Sequence, residues 1–356
     1  MPDENLICPH CESGTLFLDE DAQIQCSECK KTYSNRNGIY LFTENDYFFG
    51  ETSQEAAHEL LNQIKREPER LRLMKQRLDT ESLDEFRWKY IFSESRTSYI
   101  DYFLSHHPIT RNRTSLDIGC GYGSVGAYFE KHGFKNYYID LTRERLEFAY
   151  IKNNFFGYKN GVYIYGGDKN IPIKDESVGV ASCIGVLEWI PSTQTRKPPE
   201  DEQLDFLKKI HSKIQTNGHL LLGIENRYAY PYLLGYPDDH TGMRFITFLP
   251  RFLSNFYSKL SGKGEYRNYL YGYRELKQLI LRAGFKEVEI VYPHMDYRFA
   301  EHTVRFDDSR NIDNLLKQHA KNKGYLHKFA INLLRLANKI GWYKYIAYSF
   351  IAIARK

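Results

Sequence analysis

Residues 116–126 constrain this chain more than any other stretch. A short apolar run, Leu116-Asp117-Ile118, breaks off at Gly119-Cys120-Gly121-Tyr122-Gly123-Ser124, and a helical pattern follows through Gly126 to about 132. Glycines at alternate positions let the backbone turn sharply and approach a ligand closely, because no Cβ stands in the way. From 114 onward apolar runs and helical periods alternate. Strands are expected at 115–118, 137–139, 162–165, 178–186 and 219–224, with helices at about 124–132, 142–154 and 201–213. That alternation predicts an α/β domain: a doubly wound, mostly parallel sheet with helices on both faces. Beyond it, 273–283 reads as a helix with Gly284 at its C′ position. Residues 287–292 read as a strand, 309–322 and 326–340 as helices, and 348–354 as a last apolar strand.

The N-terminus follows a different rule. Four of the six cysteines stand in two pairs, Cys8-Pro9-His10-Cys11 and Cys26-Ser27-Glu28-Cys29. Two thiolate pairs at this spacing match a tetrahedral zinc ion with four sulfurs, a closed shell and therefore a structural site. A unit so small buries little core, so the metal would supply its folding energy. Thr15-Leu16-Phe17-Leu18 and Ala22-Gln23-Ile24-Gln25 read as its hairpin strands. The expected organisation is a zinc ribbon over 1–45, a helical linker and cofactor lid over 46–110, and the large domain over 111–356. Within the linker, Ser53 caps a helix carrying Ala56, Leu60, Leu61 and Ile64, and 82–106 is a second helical stretch. With 42% hydrophobic and 26% charged residues, a packed core is expected and wholesale disorder is not. The net charge of +4 permits an anionic partner without requiring one. No signal peptide is read at Met1-Pro2-Asp3-Glu4-Asn5, and no apolar run reaches the length of a membrane span, so a cytoplasmic location is expected.

Gly121-Tyr122-Gly123-Ser124-Val125-Gly126 is also a literal Gly-x-Gly-x-x-Gly, the dinucleotide fingerprint, which is weak evidence by itself. Charge separates the readings. A dinucleotide brings pyrophosphate to the helix N-terminus, whereas Asp117, Asp140 and Asp168 close three successive strands. Carboxylates along one rim suit a cationic nucleoside, and S-adenosylmethionine carries a sulfonium and an ammonium. The stretch from Asp117 to Gly123 resembles the first motif of the class I S-adenosylmethionine-dependent methyltransferases, and Asp140 and Asp168 resemble that family's later acidic positions. Gly185-Val186-Leu187-Glu188-Trp189-Ile190 resembles its fourth motif, with Trp189 where His is more usual. Asn217-Gly218-His219-Leu220 resembles the turn into its fifth strand. The resemblance implies a Rossmann-like, seven-stranded sheet whose antiparallel last strand lies between strands five and six. It implies cofactor contacts from Asp117, Gly119, Cys120, Gly121, Asp140, Leu141, Gly167, Asp168 and Gly185. The ribbon followed by this domain is similar to bacterial methyltransferases with N-terminal zinc ribbons, some of which modify ribosomal RNA guanine.

In an open α/β sheet, ligands lie beyond the carboxyl ends of the strands. After strand four come Glu188 and Trp189. After strand five comes the polar run from Glu225-Asn226-Arg227-Tyr228 to Asp238-Asp239-His240. His240 is the best-placed base near neutral pH. Asp239 is expected to orient it, with Glu225 or Glu188 able to serve instead. Asn226, Arg227 and Tyr228 are candidate acceptor contacts, Arg227 binding an anion or pairing with Glu225. The run resembles a segment of methyltransferases associated with bacterial surface polysaccharide and glycan biosynthesis. This implies O-methylation of a sugar or glycan-type intermediate, with 228–272 as an insertion capping the acceptor. The alternatives are an RNA methyltransferase that uses the ribbon for recognition, a small-molecule or natural-product methyltransferase, and a binding module without catalysis. Basic residues in 63–96 read as a solvated helix face. Within the helical segment 305–345, residues 317–345 read as an amphipathic lid on the domain itself, the alternatives being peripheral membrane contact or nucleic acid.

Overall fold

The computed structural model describes residues 2–19, 23–45, 53–78, 91–92, 97–109, 112–167, 170–193, 197–321 and 324–356. The expectations placed on Asp168, on Ala22 and on most of 82–96 lie outside the described residues. Among the described residues the strands are β1 (Leu16–Leu18), β2 (Ile24–Cys26), β3 (Thr32–Arg36), β4 (Ile39–Leu41), β5 (Thr114–Ile118), β6 (Lys135–Asp140), β7 (Gly161–Tyr165), β8 (Val178–Ile184), β9 (Ile214–Glu225), β10 (Glu287–His294), β11 (His302–Arg305) and β12 (Ser349–Arg355). They form one sheet in the order β1-β2-β3-β4-β7-β6-β5-β8-β9-β12-β10-β11.

The centre is the expected arrangement. Strands β7, β6, β5, β8 and β9 run parallel, and β12 lies antiparallel between β9 and β10. The expected count of seven falls short, because the sheet has twelve strands. β11 extends one edge beyond β10, and the N-terminal unit extends the other. β4 pairs parallel with β7, Ile39 opposite Tyr163 and Leu41 opposite Tyr165. A three-residue strand next to Gly38, at φ +84°, offers no periodicity to read in advance. The unit is also tied down by Leu6, bridged to Ile173, and by Asp3, which accepts the Tyr137 hydroxyl at 2.6 Å and pairs with Lys135 at 2.6 Å.

Period-two alternation builds a core on each face. All seven residues of β8 are buried. Ala181, Cys183, Leu220, Leu222 and Ile224 join one cluster, while Val180, Ile184, Leu221, Ile351 and Ile353 join another. The Asn217-Gly218 turn is a bulge inside a longer strand: β9 begins at Ile214, Asn217 takes φ +63°, and the pairing slips between Val178 and Val180. Ser53 caps the helix Gln54–Arg66 as expected, its hydroxyl accepting from the Ala56 N–H at 3.2 Å. Leu60, Leu61 and Ile64 of that helix pack with Tyr122 and Phe148. The helix Tyr325–Lys339 packs through Ile331 and Leu334 and leaves Tyr325, Phe329 and Leu336 exposed.

Gly126 sets how closely the helix Ser124–Lys131 sits on β6. A Cβ there would lie 2.2 Å from Asn136 Nδ2 and 2.3 Å from the Tyr138 ring, and both of those side chains are buried. Gly126→Ala is expected to cost about 2–3 kcal/mol in denaturant unfolding. Unchanged stability would mean that the helix can draw away from the strand.

Candidate active site

β5 delivers the glycine loop to the carboxyl edge of the sheet. Gly119, Gly121 and Gly123 take φ of +64°, +52° and +71°, so the turn needs residues that tolerate the left-handed region. A Cβ on Gly119 would meet Val186 Cγ2 at 2.3 Å. Gly123 caps the following helix without a side chain. Asp117 supplies the missing cap from the strand: Oδ2 accepts the Gly126 N–H at 3.1 Å and Oδ1 accepts the Ser182 hydroxyl at 2.9 Å. Asp117 thus braces the loop from within the fold. It is 2% exposed, and both of its oxygens face into the fold. A carboxylate on the helix N-terminus also occupies the place where pyrophosphate would dock.

Asp140, the last residue of β6, stands at the rim. Its Oδ2 accepts the Gly121 N–H and its Oδ1 the Thr142 N–H, both at 2.7 Å. Burial raises its carboxyl above the ordinary range, against the lowering pull of Arg145 and the two N–H donors. Cys120 is buried behind it, and burial pushes its thiol well up. Past β7 the rim continues through Gly166 and Gly167, at φ +155° and +102°. Here it meets the N-terminal unit, where the Phe42 N–H donates to the Tyr165 carbonyl at 2.9 Å.

At the ends of β8 and β9 lies a second group. Glu188 comes from the turn Leu187–Trp189, Glu225 ends β9, and His240 follows from the next loop. The structure brings these three predicted residues together: His240 Nε2 lies 3.6 Å from Glu188 Oε1 and 3.9 Å from Glu225 Oε2. Their side chains are only 4%, 1% and 2% exposed. Burial, reinforced by the charge of Glu188, holds Glu225 up at about 7. For His240, burial opposes the charge, but the bond to Asp238 and the two glutamates outweigh it and raise the imidazole well above its usual value. Trp189 stands edge-on to the ring at 5.1 Å.

Several expectations are corrected here. Asp238, and not Asp239, orients the histidine, with Nδ1 and Oδ1 3.1 Å apart; Thr241 fixes Asp238 through its N–H at 2.8 Å and its hydroxyl at 2.7 Å. Asp239 points the other way, to Arg298 at 3.1 Å and to the Tyr348 hydroxyl at 2.9 Å. Asn226, Arg227 and Tyr228 are braces. Asn226 donates to the carbonyls of Tyr345 and Ala347 at 2.9 and 2.8 Å. Arg227 donates to the carbonyls of Thr247 and Leu249 and pairs with Glu275 at 3.0 Å, not with Glu225. Tyr228 lies against that guanidinium, 5.1 Å from its ring centre, with its hydroxyl 3.4 Å from Glu275. Sequence reading missed Tyr297, whose hydroxyl donates to Glu225 Oε1 at 3.0 Å, and Arg298, which pairs with Asp296 at 2.7 Å. They arrive from a short turn after β10, and no local motif announces them.

The four cysteines also converge. Cys8 and Cys29 Sγ lie 3.6 Å apart, Cys11 and Cys26 Sγ lie 3.5 Å apart, and all four sulfurs fall within 4.8 Å of one another. The two knuckles match: Glu12 and Lys30, each just after the second cysteine, both take φ +61°. Four sulfurs at these separations can hold a tetrahedral metal ion, whose sulfur ligands lie about 3.8 Å apart.

Residues 116–222 match the family model described as a methyltransferase domain. The ubiquinone biosynthesis O-methyltransferase of Rickettsia prowazekii (strain Madrid E) is 26% identical over 156 residues, 43% of this chain and 53% of that protein. Its namesake from Rickettsia felis is 24% identical over 139 residues, 38% and 51% of the two chains. The chain thus spans about half the length of these curated relatives. Among solved structures, phosphoethanolamine N-methyltransferase 2 of Haemonchus contortus with S-adenosyl-L-methionine aligns at TM-score 0.43 and 14% identity, covering 80% of this chain and 60% of that one. A SAM-dependent methyltransferase from Aquifex aeolicus aligns at TM-score 0.40 and 13% identity, covering 86% and 99%. Residues 116–222 are thus similar to a methyltransferase domain.

Arg227→Ala, which removes a donor from the Thr247 and Leu249 carbonyls and from Glu275, is expected to cost about 2–3 kcal/mol of stability in thermal or denaturant unfolding. A variant as stable as the parent would return Arg227 to the list of ligand contacts.

Proposed function

We propose that this chain is an S-adenosylmethionine-dependent methyltransferase that methylates a hydroxyl oxygen of a small acceptor. The observation that carries the cofactor reading is the division of labour between Asp117 and Asp140. Asp117 caps the helix and makes the anion seat negative, while Asp140 keeps a carboxylate at the rim. Asp140 would hold the ribose hydroxyls, Gly119 and Gly121 would let the nucleoside approach the backbone, and Leu141, Gly167, Gly185 and Cys120 would wall the cleft. Asp168, which lies outside the described residues, is proposed to meet the adenine amino group. When bound, S-adenosylmethionine supplies a methyl group activated by its sulfonium. What the chain itself adds is alignment, from the rigid strand ends, and a proton acceptor beside the acceptor oxygen. Glu225 and Glu188 are proposed for that second task; His240, which Asp238 and the two glutamates hold in its charged form, is corrected from base to their counter-ion, and Asp239 fixes Arg298.

An oxygen acceptor is supported by the two curated relatives, both named O-methyltransferases. A sugar or glycan-type intermediate is the acceptor proposed from the loop resemblance. Calorimetry with S-adenosylmethionine, and then labelled-methyl transfer to a panel of sugars, phenols and RNA, tests both levels. We expect wild-type binding and roughly a ten- to hundredfold loss in Asp140→Ala, the worth of one or two charged hydrogen bonds. A chain that binds a nicotinamide dinucleotide and ignores S-adenosylmethionine would overturn the reading.

We also propose that Cys8, Cys11, Cys26 and Cys29 hold a structural zinc ion. A Cβ on Gly14 would sit 2.0 Å from Cys26 Sγ, so the chain keeps this position small around the sulfurs. Since β4 lies along β7 beside Gly166 and Gly167, the metal also steadies the rim of the cleft. Metal analysis is expected to find one zinc per chain, lost in Cys11→Ser/Cys26→Ser, with S-adenosylmethionine binding weaker by roughly tenfold. Unchanged cofactor affinity in the zinc-free variant would uncouple the two.

A further inference from the structure

We propose that Glu188, Glu225 and His240 form a second metal site, for a divalent cation with mixed nitrogen and oxygen ligands. Each residue offers one ligand atom, and the three atoms lie within 4.8 Å of one another. The separations of 3.6 and 3.9 Å from His240 Nε2 are too long for hydrogen bonds. Two ligands about 2.1 Å from a shared ion at a tetrahedral angle lie about 3.4 Å apart, so a small inward movement closes the set.

Two independent features point to a ligand. First, Glu188 Oε2 and Glu225 Oε2 are buried without a hydrogen-bond partner. Tyr297 takes the other oxygen of Glu225, and Oε2 is the atom that faces the imidazole. A buried carboxylate oxygen left unpaired is costly, and a cation removes that cost. Second, the histidine is prepared as a ligand. Asp238 Oδ1 engages Nδ1 at 3.1 Å, which fixes the ring with Nε2 toward the two glutamates, where a bound cation would take the place of the Nε2 proton. The nearby guanidinium of Arg298 faces Asp296 and Asp239.

The donor set differs from that of the four cysteines. Carboxylates and one imidazole suit harder cations than thiolates do, so the two sites choose different metals. Three protein ligands also leave coordination positions open, unlike a closed four-sulfur shell. A cation there would attract an acceptor hydroxyl and ease its loss of a proton. That use rests on the oxygen-acceptor reading above; binding of the metal does not.

The test titrates Mn2+ into the zinc-loaded, full-length protein and follows the signal of free Mn2+ by electron paramagnetic resonance. One Mn2+ per chain is expected. Glu188→Gln/Glu225→Gln should abolish uptake, and Asp238→Asn, a positioning change, should weaken it by about 10–100-fold. Melting curves of each variant confirm that it is folded. No uptake by the wild-type protein overturns the proposal, as does wild-type uptake by the folded double variant. S-adenosylmethionine titrated into metal-free wild-type protein separates the two readings. Cofactor binding without Mn2+ uptake removes the metal site alone, and Mn2+ uptake without cofactor binding removes the cofactor reading alone.

Discussion

The hydrogen bond from the Gly126 N–H to Asp117 ties the first strand of the large domain to its first helix, and the site is built around it. The loop between them turns through three left-handed glycines. A strand carboxylate caps the helix that no side chain in the loop caps. This bond has an electrostatic consequence as well as a structural one. Helix N-termini attract anions, and here the fold supplies its own. The rim is left with a negative character that a sulfonium compound tolerates and a pyrophosphate does not.

The same strand ends organise the rest of the cleft. Asp140 marks one end, beside a loop that it holds through Gly121 and Thr142. The buried Glu188, Glu225 and His240 mark the other, at the tips of β8 and β9. The N-terminal unit belongs to this architecture. Its strand β4 continues the sheet past β7.

Much of this was legible in the sequence, for reasons that are physical. Glycine spacing located the loop after β5, because few other residues accept its backbone angles. Alternating apolar runs located the central strands, and the cysteine spacing located the knuckles. Side-chain direction in irregular segments was not legible. Asp238 and Asp239 are neighbours in a turn without a period, and the two face opposite ways. Arg227 reads as a loop residue, yet its partners Thr247, Leu249 and Glu275 come from distant parts of the chain. Tyr297 and Arg298 enter the site only through the packing of the turn after β10. Long-range register decides such contacts, and a linear motif carries no record of it.

The central claim is that the carboxylate at the tip of β6 holds a cationic nucleoside. A crystal structure with S-adenosylhomocysteine bound tests it most directly. The account predicts the ribose hydroxyls within hydrogen-bonding distance of Asp140, with Asp117 still bonded to the Gly126 N–H. A nucleoside seated elsewhere, with Asp140 bonded only to Gly121 and Thr142, would contradict it.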